Sequence, residues 1–250
     1  MTDGSNHYSY TFYADTATAE AFDDRRFGGP IGAIVAGTQA RVLTNFVGRI
    51  QNRRILDVGT GTGRAALLFA RGGAKVTGVD ASEQMLGVAR RRAAEQGVSV
   101  RFQPGDAHNL EFPNRSVDVA VCLRVLMHAP NWKRCVAELC RVADQLVVVD
   151  YPSATSVALI GSLGRRLTHA LGARTEPYRV LSHRSVVNAF RRNGFRVQSV
   201  HRQFVLPIAF HKAIGSRRFT ERVERALARA GMDRIFGSPV TIVAERCAFS

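Results

Sequence analysis

Residues 55 to 64 read ILDVGTGTGR, an apolar run that gives way to glycines at 59, 61 and 63. Glycines at such a junction let the backbone turn sharply and come close to a ligand, and a following helix offers its N-terminal amides. The spacing departs from the dinucleotide fingerprint, because the third glycine arrives one residue early, at Gly63, and Arg64 follows it. Asp57 sharpens the departure. A carboxylate beside the turn repels a pyrophosphate, whereas it accepts from an ammonium group or orders a water near a cation. Asp80, 17 residues past Gly63, ends the next apolar run, where a carboxylate accepts the two hydroxyls of a ribose. Asp106, in QPGDAHNL, is suited to an exocyclic amine such as that of adenine. The three acids together outline a nucleoside that carries a sulfonium amino acid.

The elements that must hold these residues follow from patterning. From Arg53 onward, short apolar runs alternate with amphipathic segments, the signature of βαβ units around a parallel sheet. Strands are predicted at Ile55–Val58, Lys75–Val79, Val98–Gln103, Val117–Leu123 and Gln145–Asp150, and later at Phe195–Val205 and Pro239–Arg246. Helices are predicted at Arg64–Gly72, at Ser82–Gln96 with Ser82 as its cap, and at Trp132–Val142. Further helices are read at Ser156–Leu171, Ser182–Asn193 and Ser216–Ala230. The last two strands are positioned to close the sheet as an antiparallel pair.

With these elements in place, ILDVGTGTGR, VTGVDASEQML and GDAHNLEFPNRSVDVAVCLRVLMHAPN match, in order and spacing, the motifs of a known family. The chain resembles the class I S-adenosylmethionine-dependent methyltransferases, in particular the broad group that includes quinone-ring and natural-product methylases. The resemblance spans roughly residues 53 to 150 and continues only in outline beyond them. It implies an α/β, Rossmann-like fold with a mostly parallel seven-stranded sheet and an antiparallel last strand. It implies S-adenosyl-L-methionine as cofactor, with Gly59 and Gly61 near the methionine part and Asp80 on the ribose. Met85 then packs near the adenine and Asp106 and Ala107 hold its edge, while Leu123 and Arg124 lie beside the cofactor at the end of the fourth strand. Asp57, Thr60, Gly63 and Ala81 complete the expected cofactor contacts. Residues 1–50 are expected to form a helical lid segment, 51–150 the cofactor-binding core, and 151–250 the rest of the sheet with acceptor-binding insertions. In the first of these, Phe22, Arg25, Arg26 and Phe27 either fold over the cofactor, with an arginine for the methionine carboxylate, or form a surface helix.

Methyl transfer from a sulfonium is an in-line displacement, so much of the catalysis is alignment, exclusion of water and removal of a proton. His128, in RVLMHAP after the fourth strand, is the candidate base, because strand C-termini line the ligand crevice of open α/β sheets. Its alternative is a loop histidine that only shapes the pocket; Tyr151, His201 and His211 are weaker candidates. The carboxylates and amides that a hard cation needs after the fourth and fifth strands are missing, so no metal is expected. The motif of enzymes that methylate exocyclic amines of DNA bases is also missing after the fourth strand.

Composition is that of a globular protein, with 46% hydrophobic and 22% charged residues. Four cysteines without zinc-ligand spacing read as reduced thiols. No secretory signal is read at the N-terminus and no apolar run approaches the roughly 18 residues that cross a bilayer, so a cytoplasmic protein is expected. The net charge of +15 is concentrated in residues 151–250, which hold 17 Lys and Arg against 5 Asp and Glu. Such asymmetry marks an anionic membrane surface, a nucleic acid, or merely a solvated face. The stretch FVLPIAFHKAIGSRRFTERVERALARAGM joins an apolar entry to an arginine-studded helix and suits peripheral contact with an anionic membrane. The expected activity is methylation of a small, lipophilic acceptor, most simply at a phenolic or quinol-like hydroxyl. An RNA-directed enzyme and a non-catalytic cofactor-binding relative are the alternatives.

Overall fold

The computed structural model describes residues 23, 26–156 and 178–248. Phe22, Arg25 and, apart from Ser156, the helix expected at Ser156–Leu171 lie outside them. The elements run α1 (Gly29–Val47), β1 (Arg54–Val58), α2 (Arg64–Arg71), β2 (Lys75–Asp80), α3 (Glu83–Glu95), β3 (Arg101–Pro104) and β4 (Val117–Cys122). They continue with α4 (Trp132–Val142), β5 (Ala143–Tyr151), α5 (His183–Arg192), β6 (Phe195–Phe204), α6 (Ile208–Ile214), α7 (Arg217–Arg229), α8 (Asp233–Phe236) and β7 (Ser238–Arg246).

One sheet of seven strands runs β3-β2-β1-β4-β5-β7-β6. The first five pair in parallel, and β7 lies antiparallel between β5 and β6. This is the expected mostly parallel sheet with an antiparallel last strand. The central strands are buried on both faces, which is why they read as near-continuous apolar runs. Their residues alternate between two cores. Leu56, Ala120, Cys122, Val147 and Val149 face α4 and α5, through Val136, Leu139, Val186 and Phe190. Ile55, Val119, Val121 and Val148 face α1 and α2, through Leu43, Val47, Ala66 and Phe69. β6, at the edge, is mostly polar and only partly buried, as a solvated edge strand must be. Cys122, Cys135 and Cys140 are buried free thiols, and Cys247 is exposed.

Boundaries shift where capping competes with pairing. The third strand was expected from Val98 but begins at Arg101, because Val98 still donates to the Ala93 carbonyl and closes α3 around Gly97 at φ +62°. The fourth ends at Cys122 rather than Leu123, since Arg124 turns the chain with φ +61°. The fifth is longer than expected at both ends, because Arg246 of β7 donates to the carbonyls of Cys140, Ala143 and Asp144 and anchors its start.

The chain order reverses direction across the sheet between β1, whose successor lies on one side, and β4, which lies on the other. In open α/β sheets a crevice opens at that point, beyond the C-terminal strand ends. Phe69→Ala, which empties a fully buried site between α2 and the sheet, is expected to cost about 3–5 kcal/mol, read as a lower midpoint of urea unfolding.

Candidate active site

The loop from Gly59 to Gly63 leaves β1 with three glycines at positive φ, of +69°, +54° and +82°. Side chains would be strained at each. The amides of Gly59 and Thr60 donate to the Val79 carbonyl of β2, at 2.7 and 3.0 Å, so the loop is sewn to its neighbour strand. At Gly59 a Cβ would strike Val125, whereas at Gly61 it would enter open space. Backbone therefore faces the crevice directly at Gly61.

Two carboxylates hold this loop. Asp57 lies beneath it, 2% exposed, and accepts from the Thr60 hydroxyl at 2.7 Å and the Ala66 amide of α2 at 3.1 Å. Burial pushes its carboxyl up to about 6, against the lowering effect of those two bonds. Asp80 ends β2 and accepts from the Gly61 amide at 2.7 Å and the Ser82 amide at 2.9 Å. Burial also raises Asp80 above the ordinary carboxylate range, countered by its backbone donors. Ser82 caps α3 as expected, with its hydroxyl accepting from the Met85 amide at 3.2 Å.

A crevice that opens to solvent lies over this loop at the strand ends. It brings together Gly59, Gly61, Asp80, Ala81, Met85, Ala107, Leu123, Arg124 and His128 of the residues singled out by sequence. Thr60, Gly63, Asp57 and Asp106 are not on its wall. Gly63 caps α2, Thr60 bonds to Asp57, and Asp106 accepts from the amide and Nδ1 of His108, at 2.9 and 2.8 Å. His128 is 9% exposed, in a turn where its amide donates to Val125. Arg179 pins this turn from outside, its amide on the Met127 carbonyl at 2.9 Å and its guanidinium on that of Pro130 at 2.7 Å.

The weaker base candidates lie elsewhere. Tyr151 is buried and pairs with His183 Nδ1 at 2.7 Å, and burial raises its phenol. His201 sits on the edge strand β6, and His211 is buried between Glu224 and Thr220.

Sequence reasoning did not single out His108, Gly105, Val125, Ala129 or Pro130 as crevice residues, and read Ser82 only as a cap. Of these, His108 was signalled by its place two residues after Asp106 at a strand end. Behind the wall, Asp150, buried at the end of β5, accepts from the Arg124 amide, and burial raises its carboxyl while Arg124 and Arg26 oppose the rise. Arg26 does line the crevice, and its segment is latched to the loop. Asp23 accepts from the Thr62 hydroxyl and pairs with Arg92 of α3, Phe27 stacks under the Arg64 guanidinium at 3.6 Å, and Lys212 donates to the Arg26 carbonyl at 3.0 Å. Gly32 of α1 abuts the Phe27 backbone so closely that a Cβ would lie 2.2 Å from it.

The sheet order and the strand-end crevice define a Rossmann-like α/β fold of the class I methyltransferase type, and residues 55–145 match the family described as "Methyltransferase domain". Residues 55–145 are thus similar to a methyltransferase domain. Over 91 residues it is 40% identical to a ubiquinone biosynthesis O-methyltransferase of Aeromonas salmonicida, covering 36% of this chain and 38% of that protein. Over 105 residues it is 37% identical to a demethylmenaquinone methyltransferase of Thermus thermophilus, covering 40% and 48%. These matches span less than half the length of those relatives. The crystal structure of magnesium protoporphyrin IX methyltransferase from Synechocystis PCC 6803 with bound SAH superposes with a TM-score of 0.67, at 18% identity over 96% of this chain and 98% of that one.

Because the Asp57 carboxyl holds its proton more tightly in the folded chain than when unfolded, the fold loses stability as pH rises from about 4 through about 6. Asp57→Asn keeps an acceptor oxygen and removes that slope. Between pH 4 and 7 the wild-type chain is expected to lose about 3 kcal/mol relative to the variant, measured by urea unfolding at stepped pH.

Proposed function

We propose that this protein is an S-adenosyl-L-methionine-dependent methyltransferase that acts on a small, lipophilic acceptor, at a phenolic or quinol-like hydroxyl. The observation that carries this reading is one crevice in which a bare Gly61 backbone, the Asp80 carboxylate and the His128 imidazole all meet. Its residues fit the cofactor. Open space over Gly61 leaves room for a ligand against the loop, and each Asp80 oxygen retains a lone pair beyond its amide bond for a ribose hydroxyl. Met85 and Leu123 supply apolar walls for an adenine, the Ala107 backbone its edge, and Arg26 a partner for the methionine carboxylate. When bound, the cofactor supplies the electrophilic methyl group.

The chain's own part is to align the acceptor, keep water out and accept its proton. His128 stands at the end of β4, on the crevice wall and largely out of solvent, where an imidazole removes the hydroxyl proton as the oxygen becomes nucleophilic. The apolar lining of Met85, Leu123, Val125 and Ala129 suits an aromatic ring more than a sugar. Relatives named for ubiquinone and menaquinone steps support a quinol-like ring. Acceptors of this kind partition into bilayers, so peripheral membrane contact belongs to the same reading.

Calorimetry with S-adenosylmethionine is expected to show binding to the wild-type chain and at least about tenfold weaker binding to Asp80→Ala; absence of binding to the wild type overturns the reading. His128→Ala is expected to leave that affinity unchanged and to slow turnover of a quinol acceptor by about 10²–10⁴. Undiminished turnover removes His128 from the role of base.

A further inference from the structure

The segment from 208 to 236, which forms α6, α7 and α8, carries seven Lys and Arg against three Asp and Glu. Its acids are turned inward or already paired. Glu224 accepts from the amides of Val205 and Leu206, at 2.8 and 3.0 Å, and from His211 at 2.7 Å. Glu221 pairs with Arg217 at 2.8 Å. Along α7, Thr220, Val223, Glu224 and Leu227 share the inner face, and Arg218, Arg222, Arg225 and Arg229 fall on the face opposite, at steps of four, three and four. All four arginines are exposed, and among the described residues no carboxylate lies within ion-pair distance of them.

Apolar side chains flank this stripe in the open. Phe210 and Ile214, one turn apart on α6, are 44% and 41% exposed, and Ile235 and Phe236 of α8 are 57% and 39% exposed. A solvated basic face has no use for such residues. A nucleic acid could stack bases on Phe210 and Phe236 but has no use for the exposed aliphatic Ile214 and Ile235. An anionic bilayer uses both, since arginines meet lipid phosphates while apolar side chains enter the acyl boundary. Among the described residues no helix is long and apolar enough to cross a membrane, so the contact is one of surface.

We infer that α6, α7 and α8 form a docking surface for an anionic lipid bilayer, with the arginine stripe of α7 on the headgroups and Phe210, Ile214, Ile235 and Phe236 as insertion points. The surface adjoins the crevice. Lys212 of α6 holds the Arg26 carbonyl, and the Ile235 carbonyl of α8 accepts from Thr155, just past β5, at 2.6 Å. Docking there sets the rim of the crevice against the phase that holds a lipophilic acceptor.

The contact needs no turnover, so its test is independent of the cofactor reading. The intact protein is to be co-sedimented with vesicles of phosphatidylcholine alone and of phosphatidylcholine mixed with phosphatidylglycerol. Binding is expected to the mixed vesicles, weakening as salt rises. Combined Arg218→Glu, Arg222→Glu, Arg225→Glu and Arg229→Glu is expected to lower partitioning more than about a hundredfold, at roughly fivefold per arginine. Ile214→Ser with Ile235→Ser is expected to lower it about tenfold. An unchanged midpoint of urea unfolding certifies the fold of each variant. Absence of binding to mixed vesicles overturns the inference. So does tighter binding to duplex RNA that ignores the isoleucine pair, or a dimer in sedimentation that the isoleucine pair abolishes.

Discussion

Two carboxylates, Asp57 buried and Asp80 half-buried, set the shape of the glycine loop above the sheet. A carboxylate taken out of water costs several kcal/mol unless donors replace its hydration. Asp57 and Asp80 meet that demand with the loop itself: a threonine hydroxyl and a helix amide for one, loop and helix amides for the other. The same bonds fix β1 to α2 and the glycine turn to α3. Strands, loop and two helix starts therefore share one constraint, and a ligand that approaches the loop meets a surface already organised.

The part of the fold that could be read from sequence is the part in which each segment states its own environment. β1, β4 and β5 are apolar on both faces and could hardly be anything but central strands, and α4 was bounded to the residue by its pattern, where the structure adds Asn131 as its cap. The short helices α6 and α8 were not legible, since seven and four residues carry too little periodicity. The seat of β7 between β5 and β6 depends on pairing between distant residues that no local pattern encodes. The crevice shows the same division. Its glycines and Asp80 follow from one contiguous motif logic, while Arg26 reaches it through tertiary packing. Asp57 and Asp106 illustrate a further limit, because a sequence shows that an acid is present but not whether it faces a ligand or its own neighbours. In both cases local donors, Thr60 and Ala66 or His108, occupy the carboxylate.

The crevice has two sides of different origin. Its floor comes from the loops at 59–61, 80–85 and 105–108, within the stretch of the family match. Its outer rim comes from Arg26 and the turn at 124–130, and Arg179 braces that turn from behind. Behind that turn the chain is tied mainly by backbone bonds, Arg179 to Met127, Leu181 to Pro152 and Ala154 to Leu181. A turn held through backbone tolerates exchange of its side chains.

The bond from Lys212 to the Arg26 carbonyl spans 186 residues of sequence and joins α6 to the wall of the crevice. With Gly32 pressed against Phe27, and Phe27 under Arg64, the short stretch that bears Arg26 is gripped on three sides. Occupancy at the surface and occupancy in the crevice then draw on the same few atoms. Whatever free energy an event at one transmits to the other must flow equally in reverse, so a ligand seated beside Arg26 tunes the outer helices as much as they tune it.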